Sequence, residues 1–485
     1  MTPESSTTIA FGRNGRFGSG RPEPSRRSRR RQLPEFAWIT PRKQTGTIEI
    51  LFWAIMIFLV TSPLTFWLMQ VDPTLEVRRN LSEMRQADSS QWRLYLVRAI
   101  VLGSGLFFAM PRLHKTIEAW PRLVPFLPFL AWAALSLIWT DYFATTLNSI
   151  AAMVALILAS FFMGLRVPYG ALAKAALLGG ALVAIGSIAI SLGYPSYGVH
   201  QHEDFAQSIH AGAWRGLYAH KNHLGQTMAV FATGAIFAGQ SIISSPVVKW
   251  SLVALLLGVM LLSTSVSAML VVPTAIAMTW YVVLLSRGQR LRALTYLVPG
   301  VIIGLLLLSY IFEAMGRDMT LTGRTEVWRI AFEWVADRPL LGWGYNTLTY
   351  GGFSFELLRA RGVVDPHNAF IEAVLGTGII GLVLFVIPIA AACRSARRHQ
   401  MAGGMEAQSA LVFSAMTMAW IMACFTEVDG RPFSSAGAVG IFALTILLTM
   451  PNRGGTASGT QAGDGAKSSG PLPMGSYLPR PGNYG

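Results

Sequence analysis

The chain has 485 residues, of which 52% are hydrophobic and only 13% charged, and its mean hydropathy is +0.46. These values exclude an ordinary soluble domain and place the chain with polytopic membrane proteins. The formal net charge of +15 does not point to nucleic acid, because ten of the 39 basic residues lie in the first 46, and eight of those are arginines between Arg13 and Arg31.

Residues 1–46 are rich in Arg, Gly, Ser and Pro and read as a disordered cytoplasmic tail. A basic tail ahead of the first span holds that end inside and touches anionic lipid headgroups. The apolar stretch after it is too long, and lacks the small-residue site, for a cleavable signal peptide. Apolar runs near the roughly 20 residues needed to cross a bilayer occur at 48–69, 94–110, 122–140, 145–165, 170–192, 223–240, 248–264, 266–286, 293–312, 368–392, 406–425 and 434–450. They predict an all-α polytopic fold of about 12 transmembrane helices within 47–450. The 94–110 run is the weakest, being short and carrying Arg98, and the pair at 248–286 divides around Ser263-Thr264-Ser265. Small residues such as Gly179-Gly180 permit close helix packing. With the N-terminus inside, the short inner loops carry more Lys and Arg than the outer ones. That orientation puts 193–222 and the large loop 313–367 on the periplasmic side. The Gly/Ser/Pro-rich segment 451–485 reads as a second disordered cytoplasmic tail.

Between 193 and 225 the sequence offers His200, His202, His210, His220 and His223, together with Trp214-Arg215-Gly216 and His220-Lys221-Asn222. The histidines lack a recurring ligand spacing, so a zinc site is not expected. Arg215 and Lys221 taken alone are equally consistent with interfacial cations snorkelling to lipid headgroups. Two separated outer segments that each place an arginine beside Trp and Gly are better explained by a shared site.

The second of these segments is the 313–367 loop. From Arg324 to Ala336 it has helical periodicity, with Val327, Ala331, Trp334 and Val335 on one face and Glu326, Arg329, Glu333 and Asp337 on the other. Thr322 is placed to cap its start and Pro339 to end it. Arg324 therefore sits beside free N–H groups, where the dipole disfavours a cation unless an anion such as phosphate shares the site. The plainer alternative is an ion pair with a loop carboxylate. The loop ends in Asp365-Pro366-His367-Asn368, with Asn368 and Glu372 on one helix face. Glu372 falls about one turn into the bilayer and reads as an interhelical polar partner. Gly376, Gly378 and Gly381 read as packing and hinge residues.

These motifs together resemble the O-antigen ligase and polysaccharide polymerase superfamily: Trp214-Arg215-Gly216 with His220-Lys221-Asn222, then Leu321-Thr322-Gly323-Arg324-Thr325 with Trp328, then His367-Asn368 with its glycines, and the turn Pro339–Gly344. The resemblance implies a GT-C-like, metal-independent, inverting glycosyltransferase of the bacterial inner membrane that needs no cofactor. Its donor would be an undecaprenyl-diphosphate-linked oligosaccharide used at the periplasmic face. By the same resemblance, Arg215 and Arg324 hold the diphosphate, His367 activates the acceptor hydroxyl, and Lys221 is an accessory phosphate contact. Trp214, Asn222, Thr322 and Asn368 join the substrate-binding set. The chemistry is coherent: guanidinium groups clamp phosphate bidentately, histidine is a base near neutral pH, and two neighbouring cations would hold its imidazole neutral. An exopolysaccharide repeat-unit polymerase is favoured over a ligase acting on lipid A-core; either would work beside a flippase and a chain-length regulator. A lipid-linked-oligosaccharide transporter is the non-enzymatic alternative, for which the spans offer few path-lining charges.

Overall fold

A computed structural model of the chain describes residues 46–61, 92–110, 113–204, 208–293, 295, 324–347, 365–402, 404–427 and 435–451. The predicted tails, Thr322, most of the 293–312 run and both flanks of the 313–367 loop lie outside these residues. In chain order the helices are α1 (Thr47–Val60), α2 (Trp92–Ala109), α3 (Leu113–Ala119), α4 (Leu127–Leu135), α5 (Phe143–Arg166), α6 (Tyr169–Gly193), α7 (Lys221–Phe237), α8 (Pro246–Leu262), α9 (Val266–Ser286), α10 (Arg324–Asp337), α11 (Ala369–Ala402), α12 (Gly404–Cys424) and α13 (Ser435–Thr449). Among the described residues there is no strand, only an isolated bridge between Val199 and Trp214.

Six helical stretches are long and apolar enough to cross a membrane: Thr116–Ile138, Phe143–Arg166, Tyr169–Gly193, Val266–Ser286, Ala369–Met401 and Met405–Cys424. Thr47–Val60, Tyr95–Phe108, Pro246–Leu262 and Ala436–Thr449 are shorter apolar helices beside them. The fold is that of an all-α, multi-pass membrane protein. Ser263-Thr264-Ser265 divides α8 from α9, as expected, with Thr264 in the left-handed region at φ 51°. Arg98, the charge in the weakest run, donates to Asn148 Oδ1 of α5 at 3.2 Å.

Lipid tails are as apolar as leucine, so these helices are held by close contact rather than by expulsion of water. Nearly every residue of α7 is buried, and α8, α9, α12 and α13 pack around it. The adjacent glycines of α6 serve two different neighbours. A Cβ on Gly179 would lie 3.1 Å from Ala54 O of α1, and one on Gly180 would lie 2.5 Å from the Phe231 ring of α7.

Hydrogen bonds separate the two ends of the bundle. At one end Arg122 and Tyr169 donate to Thr449 O, Ser395 donates to Leu447 O, and Ser286 reaches Gln400. The other end gathers the segments at 194–220, 263–265, 338–347, 365–368 and 425–427.

One membrane helix is broken at that second end. Gly378 in α11 has φ 68° and ψ −178°, a conformation that interrupts the helical ladder and that glycine alone adopts readily. A peptide group left unpaired in an apolar environment costs several kcal/mol, and groups freed by the break find partners on other segments. Trp343 N and Gly344 N donate to Leu375 O and Gly376 O at 2.9 and 2.7 Å, Ile379 N donates to Pro339 O at 2.9 Å, and Trp132 Nε1 donates to Thr377 O at 2.8 Å. The turn after α10 is thus plugged into the gap in α11. Arg338 stacks on Trp343, with its guanidinium carbon 4.0 Å from the ring centroid, and Trp343 Nε1 donates to Trp334 O.

Candidate active site

Four helix N-termini converge at this end of the bundle, and one carboxylate ties them together. His220 caps α7 by accepting from Asn222 N at 3.2 Å, and Ser265 caps α9 by accepting from Ala268 N at 3.4 Å. Arg324 is the first residue of α10, and Asn368 caps α11, its Oδ1 accepting from Phe370 N and Ile371 N at 3.0 and 3.1 Å. Glu427, just after α12, is 4% exposed. Its Oε1 accepts from Asn222 Nδ2 at 2.6 Å and from Arg324 Nη2 at 3.4 Å, and its Oε2 lies 3.0 Å from His367 Nδ1. Arg324 Nη1 also donates to Thr426 O at 2.7 Å, and Asn368 Nδ2 to Phe425 O at 3.2 Å.

Sequence reasoning assigned no role to Glu427. The signal was present: Phe425-Thr426-Glu427 puts an acid at the end of a span on the same predicted face as Arg324 and His367. The ion pair with a carboxylate considered for Arg324 is real, with the carboxylate supplied by a distant segment instead of its own loop.

His367 is held from several directions. It adopts φ 48°, which histidine tolerates better than most side chains. Asp365 Oδ1 accepts from its backbone N–H at 3.0 Å, and Trp328 Nε1 of α10 donates to Pro366 O at 2.9 Å. Val327 and Ala331 pack on Leu375 of α11 with Trp334 and Val335 against them, as the periodicity predicts, and Ile330 joins that face. On the opposite face Arg329 pairs with Glu326 and Glu333. The side chain is 24% exposed, and with Nδ1 on Glu427, Nε2 is the ring nitrogen that this carboxylate does not engage.

The structure places Arg215, Lys221 and Trp214 in a wall beside this cluster. Arg215 is 1% exposed, and its guanidinium donates to Tyr197 O, Ser196 O and Asp204 Oδ2, each at 2.9 Å. Lys221 is 4% exposed and its Nζ lies 3.3 Å from both Thr264 O and Thr264 Oγ1. Neither is an interfacial snorkelling cation. Half-buried Trp214 donates its backbone N–H to Leu262 O at 3.0 Å, stitching the wall to the end of α8. Glu372 is buried, with its N–H on Asn368 O.

The histidines form a ring stack rather than a ligand set. His200, His210 and His220 meet edge to face with centroids 5.3–5.8 Å apart, and His223 lies 6.3 Å from His220. Among the described residues no three His, Cys, Asp or Glu side chains are placed to hold a metal ion. Burial and then the Arg215 charge pull His200 down to about 4, despite Asp204 at 3.0 Å. Its bonds agree with a neutral ring, since Nε2 accepts from Lys221 N at 3.2 Å. His220 is likewise held well below its ordinary value, by burial and then by His223 and the other rings.

His367 behaves oppositely, and this corrects the expectation that nearby cations keep it neutral. Burial and the Arg324 charge lower its proton affinity, but Glu427 and Asp365 outweigh them and raise its pKa to about 9. For Glu427, burial acts upward, yet His367 and Arg324 hold it below the usual carboxylate value. The resting pair is therefore imidazolium and carboxylate.

Residues 251–386 match the family model described as O-antigen ligase, a stretch that contains Arg324, His367 and Asn368 and stops short of Glu427. The chain is 29% identical over 185 residues to the exopolysaccharide production protein ExoQ of Rhizobium meliloti, covering 36% of this chain and 41% of that protein. It is 31% identical over 133 residues to the O-antigen ligase of Pseudomonas aeruginosa, covering 27% of this chain and 30% of that one. The chain thus matches less than half the length of these curated relatives. Motifs, helical membrane architecture and these matches agree in what they resemble: over this stretch the chain is similar to the O-antigen ligase and polysaccharide polymerase superfamily.

Proposed function

We propose that this protein transfers a glycan from a polyprenyl diphosphate, undecaprenyl diphosphate in bacteria, to a sugar hydroxyl, acting as an exopolysaccharide repeat-unit polymerase at the periplasmic face. The observation that carries the reading is the convergence of four helix N-termini with Arg324 and His367 around Glu427. Helix N-termini and guanidinium donors suit an anion whose negative charge grows as the glycosyl bond breaks. Arg324 takes the diphosphate, with Lys221 as a second cation at the wall. Arg215, whose donors are engaged by Asp204 and two carbonyls, contributes by fixing that wall. Displacement by the acceptor oxygen inverts the anomeric carbon; the oxygen's proton passes to Nε2 of His367 in its neutral form, and the diphosphate leaves with the bonding pair.

The side is supported by charge. Arg287, Arg290, Arg292, Arg394, Arg397 and Arg398 are all exposed and belong to the end opposite the cluster, which the positive-inside rule assigns to the cytoplasm. The polymerase branch is supported by the longer aligned stretch with the exopolysaccharide production protein.

The proton affinity of His367 favours a second reading of its role, in which the imidazolium donates Nε2–H to the diphosphate. At a pKa of about 9, about one ring in a hundred is neutral at pH 7. The test is transfer by purified protein with a defined lipid-diphosphate donor, measured from pH 6 to 10. A base gives activity that climbs as pH approaches 9; a donor gives activity that falls there. A flat profile would remove the His367 proton from the mechanism, and donor binding without any transfer would overturn the enzymatic reading and leave that of a carrier.

A further inference from the structure

Behind His367 the hydrogen bonds run in one ordered line. Ser265 Oγ donates to Asn222 Oδ1 at 3.0 Å, Asn222 Nδ2 donates to Glu427 Oε1 at 2.6 Å, and Glu427 Oε2 accepts from His367 Nδ1 at 3.0 Å. Ser265 Oγ also accepts from Ala268 N as the cap of α9 and lies 3.2 Å from Ser267 Oγ. Its single proton, placed on Asn222 Oδ1, turns that amide so that its NH₂ group meets the carboxylate. An amide has two inequivalent ends, and only this orientation gives Glu427 a donor. Ser265 and Glu427 are 1% and 4% exposed, so water does not compete with these contacts. Ser265 comes from the turn between α8 and α9, far in sequence from His367 and without contact to it.

We propose that Ser265 is a positioning residue for His367: through Asn222 it anchors one oxygen of Glu427, which keeps the other oxygen on the imidazole and sets how firmly that ring holds its proton. Four titratable or charged groups face His367, namely Glu427, Asp365, Arg324 and His220. Only Glu427 is reached by the Ser265 line. Without the hydroxyl, the Asn222 amide is free to turn its oxygen toward Glu427, which repels the carboxylate from its place. The relevance to catalysis rests on the reading of His367 as the group that exchanges a proton with the acceptor, whereas the proton affinity itself is measurable without substrate.

The experiment uses the full chain in lipid nanodiscs and diethyl pyrocarbonate, which attacks neutral imidazole. Carbethoxylation of His367 is followed by peptide mass spectrometry between pH 6 and 10. The wild type should reach half-maximal reactivity near pH 9. In Ser265→Ala the midpoint should fall by about one unit, the scale of a displaced neighbouring charge, while Ser265→Thr, which keeps the hydroxyl, should restore it. An unchanged midpoint in Ser265→Ala, or no rescue by Ser265→Thr, overturns the proposal. If Ser265→Ala does not fold, Asn222→Ala carries the test with the same sign, because it removes the donor that anchors Glu427 Oε1; an unchanged midpoint would again overturn it. Failure of the functional reading looks different: the midpoint moves with Ser265 while the pH profile of glycan transfer stays where it was.

Discussion

The two ends of this bundle obey the same electrostatic rule and do different things with it. Helix dipoles favour anions at N-termini and cations at C-termini. At the far end, the last turns of α5, α9 and α11 carry or precede Arg166, Arg287, Arg394, Arg397 and Arg398, and all but half-buried Arg166 are exposed. Exposed charges there are screened by solvent and contribute little through any single geometry. At the near end the favoured anion is Glu427, buried among four N-termini and bonded to Asn222, Arg324 and His367. Charge placed by the same rule is interchangeable in one region and geometrically fixed in the other. Substitutions should reveal that asymmetry.

The largest effects belong to the Glu427–His367 pair. General-base contributions are about 10²–10⁴-fold, so His367→Gln should lose at least a hundredfold in transfer while keeping donor binding. Glu427→Gln should lose comparable activity and destabilise the fold as well. Removing one partner of a buried pair costs about 3–5 kcal/mol, visible as a lower melting temperature. If Glu427→Gln melts and works like wild type, the near end is no more specific than the far one.

Arg324 should follow. Its two terminal nitrogens already divide between Thr426 O and Glu427, a forked arrangement that an ammonium cannot copy. Arg324→Lys should reduce transfer by about tenfold or more, roughly the 1.4 kcal/mol that defines a decade. Full activity in the lysine variant would show that position in the field matters and geometry does not.

Much of this was legible in the sequence, and the limits are physical. Periodicity located α10 and its buried face, because a 3.6-residue pattern records which side is packed. The motifs delivered Arg324, His367, Asn222 and Asn368 to one place. Glu427 carried no pattern, since a single acid after an apolar run has many ordinary explanations until its partners are seen. For Arg215 the hidden part is its surroundings: no sequence pattern shows that Ser196 O, Tyr197 O and Asp204 enclose its guanidinium. The break in α11 was marked by Gly376, Gly378 and Gly381, yet the partner that fills it is a turn more than thirty residues earlier.

Acid should separate the wall from the His367 pair. His200 is depressed to about 4, so between that value and its ordinary 6.5 the unfolded chain binds more protons than the folded one. Stability therefore falls as pH drops from about 6.5 toward 4. The His367 contribution, from a raised pKa, is complete below 6.5 and is lost as pH rises through about 9. Melting temperature should consequently fall on both sides of neutrality. Glu427 adds to the acid side, because its stabilisation is lost as pH drops through its lowered pKa. His200→Gln should weaken the acid decline and leave the alkaline one; if it leaves both intact, the ring stack is not what acid disturbs.

The smallest effect on chemistry should come from the far end, and its smallness is informative. The combined change Arg394→Gln, Arg397→Gln, Arg398→Gln removes three exposed cations from the last turns of α11. Exposed charges are screened within about 10 Å at ordinary salt, and these arginines lie 27 to 31 residues along the chain from His367. Removing them bears on the surface charge of one helix end and leaves the anion site untouched. Transfer by purified triple variant should stay within about twofold of wild type. In cells the same change should reduce correctly inserted protein, because these arginines bias which side of the membrane holds their loop. Reporter fusions at residues 402–404 distinguish the causes. Lower polymer with fewer correctly oriented molecules keeps the two ends independent, whereas purified, correctly folded triple variant that has lost most of its transfer would show that the far end reaches the site through α11.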